Sequence, residues 1–354
     1  MLASRVVSSV VQRQVKYVKP VPRESAEGIV AAVYDQVAEE MRLVVPPVLL
    51  HSPSPPATAA YWMLMREPLI SDGVVDRLAK EAVASAVSVA NICPYCVDMH
   101  STGMYGLAGA HDAEAIATDR LDDVRDERLR RLAGWARQAH LPDPPAAVFT
   151  EAERPELVGV VVGFQYLARM VNVFLGSFLL PRRLSPAARR RAKHGISHLL
   201  SPTLRGGFPP GRSLSLLPPA PLPADAGWAA GNDGVAEAVS RSYAALEAAG
   251  ERALSPEVRT LVRTRLADWR GEESGLSRQW CEDLVAELPA AERAAGRLAL
   301  LTAFASYQVD ESVVHEFRRH EPDDRRLVEA TAWASYAVAR HIGAGHVPAP
   351  SAAG

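Results

Sequence analysis

Asn91-Ile92-Cys93-Pro94-Tyr95-Cys96-Val97-Asp98-Met99-His100 is the stretch from which the fold and the chemistry are read. It holds two of the chain's 3 cysteines, spaced Cys-x-x-Cys, with His100 four residues after the second. Before it, Val74 to Ala90 is rich in Ala, Val and Leu, has no Gly or Pro, and carries Lys80, Glu81 and Ser85. Alanine-rich segments of this kind favour helix over strand. Asn91 to Pro94 reads as a break, because Asn tolerates turns and Pro disfavours helix at the residue before it. Pro94 suits the first turn of a second helix. Cys93 then falls at that helix's N-terminus, where free backbone N–H groups favour a thiolate. Cys96 and His100 share a face one turn apart. Glu81 reaches them only through tertiary packing, which periodicity does not show.

The spacing Glu81-x11-Cys93-x2-Cys96-x3-His100 resembles the motif of the alkylhydroperoxidase D-like family, within the carboxymuconolactone decarboxylase superfamily. The flanks Leu50-His51-Ser52-Pro53 and Phe164-Gln165-Tyr166-Leu167-Ala168-Arg169-Met170-Val171-Asn172 are similar too, so the resemblance runs over about Ser25 to Leu180. It implies an all-α helical bundle, a homo-oligomer, and thiol-dependent reduction of a peroxide or of a partner protein's disulfide. It implies no tightly bound cofactor, but an external dithiol donor, for which lipoyl groups are the family's example. Decarboxylases of the superfamily lack the cysteine pair.

In the mechanism this suggests, Cys96 attacks a peroxide because His100 stands one turn away, and Cys93 captures the sulfenic acid as a disulfide. Glu81 and His100 form the proton relay. The reverse order, Cys93 attacking from the helix N-terminus, rests on the same thiolate argument. Tyr95 and His51 are candidate substrate-binding residues, and Tyr166, Arg169 and Asn172 fall on or near one helical face. A buried arginine must be paired, which places Arg169 in a polar network at a helix contact. No residue is assigned to a metal. The competing zinc reading needs a fourth ligand, for which only His111 or Cys281 is on offer. Cys-Pro-Tyr-Cys also occurs in glutaredoxins, but there it follows a strand. A zinc-stabilised interaction protein and a decarboxylase indifferent to the thiols remain the alternatives in other functional classes. Cys281, alone beside Trp280, reads as a packing residue.

A chain of 354 residues is long enough for two domains. Its formal charge of −2 offers no electrostatic footprint for nucleic acid. Arg, Ala and Pro dominate as in a GC-rich bacterial coding sequence, and the cysteine usage fits a reducing cytoplasm. Met1 to Lys19 lacks the apolar core of a secretory signal. Its Arg and Ser content also fits a transit peptide, and a short amphipathic arm is the reading adopted. Leu157 to Leu180 is long enough to span a bilayer, but Gln165, Arg169 and Asn172 make that costly, so no membrane is expected.

The organisation expected is an N-terminal arm (1–24), a redox domain (25–201), a Pro-rich linker (202–226), a second helical domain (227–345) and a tail (346–354). The second domain reads as a degenerate tandem copy. Setting His315 against His100 puts Gln308 and Glu311 where Cys93 and Cys96 stand, and Ala339-Arg340 echoes Ala168-Arg169. Glu311 and His315 remain an i, i+4 pair without a nucleophile, which favours a surface contact over a second active site.

Overall fold

The computed structural model describes residues 14–176, 180 and 183–348. The described residues are helical and contain no strand, so the chain is all-α and the glutaredoxin reading falls. The first helices are α1 (Gly28–Met41), α2 (Pro46–His51) and α3 (Pro55–Met65), the last running into a π turn, Arg66–Ile70. The run Pro46 to Pro56 has the proline density of a loop, yet it is largely helical. Pro46, Pro47, Pro55 and Pro56 stand at the first positions of α2 and α3, where a missing N–H costs nothing, and Pro53 lies in the turn between them.

The motif helices are α4 (Arg77–Ala90) and α5 (Pro94–Ala108). Asp76 caps α4 by accepting from the Ala79 N–H. After α6 (Ala110–Ala117) and α7 (Glu127–Gln138) comes the central α8 (Arg154–Phe174), then α9 (Pro186–Leu204). α8 is buried on nearly every side, including Glu156, Gln165 and Arg169. It is long and apolar enough to cross a membrane, and 94% of its most apolar window is buried inside the molecule. A helix apolar all round needs partners on all sides, and α4, α3 and the later helix Asp324–Ala344 supply them.

The second half contains α10 (Asp233–Ala253), α11 (Pro256–Asp268), α12 (Gln279–Val285), α13 (Arg293–Ala305), α14 (Glu311–Arg318) and α15 (Asp324–Ala344). The sequence helix, short break, helix, long helix thus occurs twice, as α4–α5–α8 and as α13–α14–α15. α13 packs on α14 and α15 as α4 packs on α5 and α8, and the long helices α8 and α15 lie against each other. α10 lies against α3. One continuous apolar cluster therefore includes Trp62, Phe164, Trp228 and Trp333 from both halves.

The Pro-rich segment is not a free tether. Its first residues finish α9, and beyond them it is strapped to the first half by a buried charge network. The Arg66 guanidinium, fully buried, pairs with Glu40 at 2.9 Å and Glu67 at 2.8 Å, and donates to the Pro209 carbonyl at 2.9 Å. Glu67 in turn accepts from the Gly211 N–H at 2.8 Å and the Ser213 hydroxyl at 2.6 Å. Paired and hydrogen-bonded in this way, the buried charges are tolerable. Of the expected N-terminal arm, residues 1–13 lie outside the described residues. The rest is fastened down: the Lys16 N–H donates to the Phe174 carbonyl at 2.7 Å and the Lys19 N–H to Asp324 at 2.7 Å. The expected tail lies outside the described residues from 349 onward.

Candidate active site

Local sequence sets the turn that carries the thiols. Asn91 ends α4, the Ile92 N–H donates to the Val89 carbonyl, and the Cys93 N–H donates to the Ser88 carbonyl at 3.0 Å. This is the Schellman arrangement, which requires a left-handed residue at its centre. Glycine normally fills that position. Here Ile92 does, at φ 50°, with its branched side chain 41% exposed. A β-branched residue in this region is strained. Three side-chain bonds hold the turn. The Arg169 Nη1 donates to Asn91 Oδ1 at 2.6 Å, the Asn172 amide donates to the Asn91 carbonyl at 3.1 Å, and the Asn91 amide donates to the Val87 carbonyl at 2.9 Å. Arg169 also reaches the Ala303 carbonyl at 2.8 Å, and Asn172 the Ser306 hydroxyl at 3.0 Å, so the second half braces the thiol turn.

Pro94 starts α5 and leaves Cys93 as its N-cap residue, as the sequence predicts. The Cys93 and Cys96 sulfurs are free, buried, and 3.0 Å apart. A disulfide bond of about 2 Å needs them to close by about 1 Å. Burial first, and then the neighbouring Cys93 sulfur, push the Cys96 thiol well above its ordinary range. Cys96 therefore rests as a thiol, with desolvation the dominant influence on it.

His100 stands on the same helical face as Cys96, one turn further on. Its Nδ1 lies 2.6 Å from Glu81 Oε2, and Glu81 Oε1 accepts from Arg77 Nε at 2.8 Å. Burial alone raises the carboxyl of Glu81, but Arg77 and His100 together outweigh it and hold the group at about 2. An ionised carboxylate only accepts hydrogen bonds, so Nδ1 carries the ring proton and Nε2 is left as the basic nitrogen. Gly103 eases the approach, since a Cβ there would stand only 3.3 Å from Glu81 Oε2. Phe164 stands edge-on to the imidazole at 4.5 Å between centroids.

Cys96, His100 and Tyr95 line one cavity of about 90 Å³, whose other walls include Tyr61, Trp62, Met65, Met99, Phe164 and Leu167. Cys93 is not part of the lining and sits behind Cys96. The Tyr95 hydroxyl has no protein hydrogen-bond partner among the described residues, and burial raises its pKa. No hydrogen bond joins His100 to either sulfur among the described residues.

The other sequence candidates are placed elsewhere. His51 is fully buried one layer behind the cavity wall, stacked on Tyr61 at 4.5 Å. Its Nδ1 donates to the Pro47 carbonyl at 2.6 Å, so Nε2 accepts from the Tyr166 hydroxyl at 2.8 Å. Burial lowers its pKa to about 3, which keeps it neutral. It supports Tyr61 and does not face the cavity. Cys281 is buried, its sulfur 4.0 Å from the Arg297 carbonyl, its thiol pushed up to about 12 by burial. Glu311 and His315 form an exposed pair at 3.6 Å. His111, a possible fourth zinc ligand, instead pairs with Asp112 at 2.9 Å. Sequence reasoning missed Arg77, although its i, i+4 spacing to Glu81 was there to be read, and gave no role to Phe164.

Residues 56–138, which contain the whole motif, match the model of the carboxymuconolactone decarboxylase family. A Mycobacterium tuberculosis protein named alkyl hydroperoxide reductase Rv2159c is 35% identical over 329 residues, 93% of this chain and 94% of its own length. That likeness runs through both halves and not the motif region alone, and the fold is helical throughout as the resemblance implied. The chain belongs to the alkylhydroperoxidase D-like family, within the carboxymuconolactone decarboxylase family.

Proposed function

We propose that this protein is an antioxidant oxidoreductase that reduces alkyl hydroperoxides through a Cys93/Cys96 dithiol–disulfide cycle. The observation that carries the reading is the lining of one apolar cavity by Cys96 and His100, with the Cys93 sulfur 3.0 Å behind. The name of the Mycobacterium tuberculosis relative supports the same activity.

In the proposed reaction a peroxide ROOH enters the cavity and bridges Cys96 and His100. His100 Nε2 takes the thiol proton as the sulfur attacks the O–O bond. The bond breaks, the alkoxide leaves with that proton as ROH, and Cys96 becomes a sulfenic acid. The Cys93 thiol attacks it, water leaves, and a disulfide remains. An external dithiol returns two electrons and two protons. Glu81 orients the imidazole and stabilises it when charged, as a carboxylate held at about 2 does not itself carry a proton near neutral pH. Tyr95 is proposed to donate to the peroxide oxygen.

The apolar walls favour a peroxide with a hydrocarbon group over hydrogen peroxide. With Cys96 2% and Cys93 1% exposed, the burial of the sulfurs favours a slim dithiol such as a lipoyl group over a folded partner's disulfide as the exchanging group. Reduced thiols fit a cytoplasmic setting, and a homo-oligomer is proposed from the family alone.

The test is consumption of cumene hydroperoxide and of hydrogen peroxide by wild type, Cys93→Ser and Cys96→Ser, with several dithiol donors. Turnover by wild type is expected, with the organic peroxide preferred. Cys93→Ser should accumulate a sulfenic acid on Cys96, and Cys96→Ser should be inert. Equal turnover in all three sinks the thiol mechanism, and a sulfenic acid on Cys93 in the Cys96→Ser protein reverses the assignment.

A further inference from the structure

A second cavity, of about 60 Å³, lies between the halves on the side of the thiol turn marked by Asn91 and Ile92. Its lining includes Arg169, Gln165, His140 and Arg137, with Trp269 at the edge. Arg169 is a buried guanidinium with no carboxylate in salt-bridge range among the described residues. Its Nε goes to the Ala303 carbonyl, and its Nη1 goes to Asn91 and to the carbonyl and side chain of Gln165, all neutral acceptors. Its Nη2 makes no hydrogen bond among the described residues. Two more buried polar nitrogens in the same lining lack partners: the Gln165 Nε2 donor, on a residue only 1% exposed, and His140 Nδ1, which donates in one tautomer of the neutral ring. Gln165 Oε1 already accepts from Arg169 at 2.7 Å, which fixes the amide with its N–H groups unpaired.

The other half shows what is missing. Arg340, the residue that echoes Arg169 in the sequence, is held by both oxygens of Asp225, at 2.6 and 3.1 Å. Tyr336 supports it from one turn before, as Gln165 supports Arg169. A buried cation without a counter-charge is costly, and burial alone brings Arg169 down to about 9, leaving it charged at neutral pH. The acidic residues in the cavity lining are Glu272 and Glu273. Glu272 is committed to Arg265 at 2.7 Å and to the Arg270 N–H at 2.8 Å.

We propose that this cavity is a binding site for a small carboxylate, which supplies to Arg169 the counter-charge that Asp225 supplies to Arg340. The carboxylate accepts from Arg169 Nη2, from the Gln165 amide and from His140. Glu273 is its internal competitor. The site is separate from the peroxide cavity and does not depend on the peroxidase reading.

The test is titration of the full-length reduced protein with sodium acetate at constant ionic strength, balanced with sodium chloride, followed by calorimetry and thermal shift. Saturable binding is expected. Arg169→Met should abolish it, and His140→Phe and Gln165→Met should each weaken it by roughly 10-fold or more, the range for one charge-assisted hydrogen bond. Glu273→Gln should tighten it. If Arg169→Met does not fold, the other three variants decide, since unchanged affinity in all of them overturns the site. Acetate that acts no differently from chloride on wild type and on Glu273→Gln overturns it as well. Inorganic phosphate binding in place of acetate overturns the carboxylate assignment.

Discussion

His100 Nδ1 stands 2.6 Å from Glu81 Oε2, and this contact decides which ring nitrogen can act as a base. With the proton pinned on Nδ1, Nε2 serves the cavity. Replacing His100 by Ala should slow single-turnover disulfide formation by roughly 100-fold or more, the scale of a lost general base. Glu81→Gln should slow it substantially too, because an amide can donate to Nδ1 and leave the wrong tautomer. The rate profile of the wild type should show no ionisation between about pH 4 and 5, where an ordinary carboxylate titrates. A break there would restore Glu81 as a proton carrier.

The same carboxylate links stability to pH. Its folded value, about 2, lies below that of an unfolded glutamate, about 4.3. The unfolded state therefore binds the proton first as pH falls. The stabilisation is complete above about pH 5 and fades as pH drops towards about 2. Denaturant midpoints of wild type and Glu81→Gln should differ at neutral pH and converge across that acid window. A gap that stays constant down to the lowest pH would mean that the charge on Glu81 contributes nothing.

Burial keeps the Cys96 thiol protonated in the resting protein. The Cys96 thiol is raised by desolvation and by its neighbour, so iodoacetamide should label the folded protein at neutral pH more slowly than a free thiol of pKa about 8.5. Unfolding in urea should accelerate labelling. Mass mapping of the modified peptides separates this pair from Cys281, itself pushed up to about 12. Fast labelling of Cys96 in the folded protein would indicate a preformed thiolate and a different activation.

Ile92 holds a left-handed conformation in which a branched side chain is strained by about 1–2 kcal/mol. Asparagine enters that region readily. Ile92→Asn should therefore stabilise the fold by about 1 kcal/mol after the loss of some apolar contact, and raise the denaturation midpoint. The turn is cross-braced by Arg169 and Asn172, so disulfide formation should persist in the variant. A lower midpoint would show that the isoleucine's packing outweighs its backbone cost.

Legibility followed sequence distance. The α4–turn–α5 unit could be read because Pro94, Asn91 and the Cys96–His100 spacing are local signals with local causes. Glu81 was singled out by motif, but its contact with His100 needed the two helices to close over Gly103. Arg77 was within reach of the i, i+4 rule and went unread. His51 lies off the cavity because the proline-dense run around it is helical, with Pro46, Pro47, Pro55 and Pro56 at helix starts, and not a loop open to the thiols. The Glu40–Arg66–Glu67 network left no trace in the sequence: Glu40 is 26 residues from Arg66, and the segment the network anchors is about 140 residues beyond it.

That network bears on what happens when the chain is cut. Limited proteolysis should find the exposed residues around Pro209 and Pro210. Yet the halves share α8 against α15 and α3 against α10, and these contacts bury tryptophans from both sides. Nicked protein should therefore elute as one particle under native conditions and separate only in denaturant. The fragment 1–201, made alone, leaves the faces of α3 and α8 that meet α10 and α15 bare to water. Apolar areas of that size drive association, so the fragment should aggregate or self-associate, and mixing it with 202–354 during refolding should rescue it. The thiol turn supplies a second reason, since Ala303 and Ser306 brace Arg169 and Asn172 from the second half. A soluble, monomeric fragment 1–201 with full peroxide turnover would show that the second half neither completes the core nor supports the thiols.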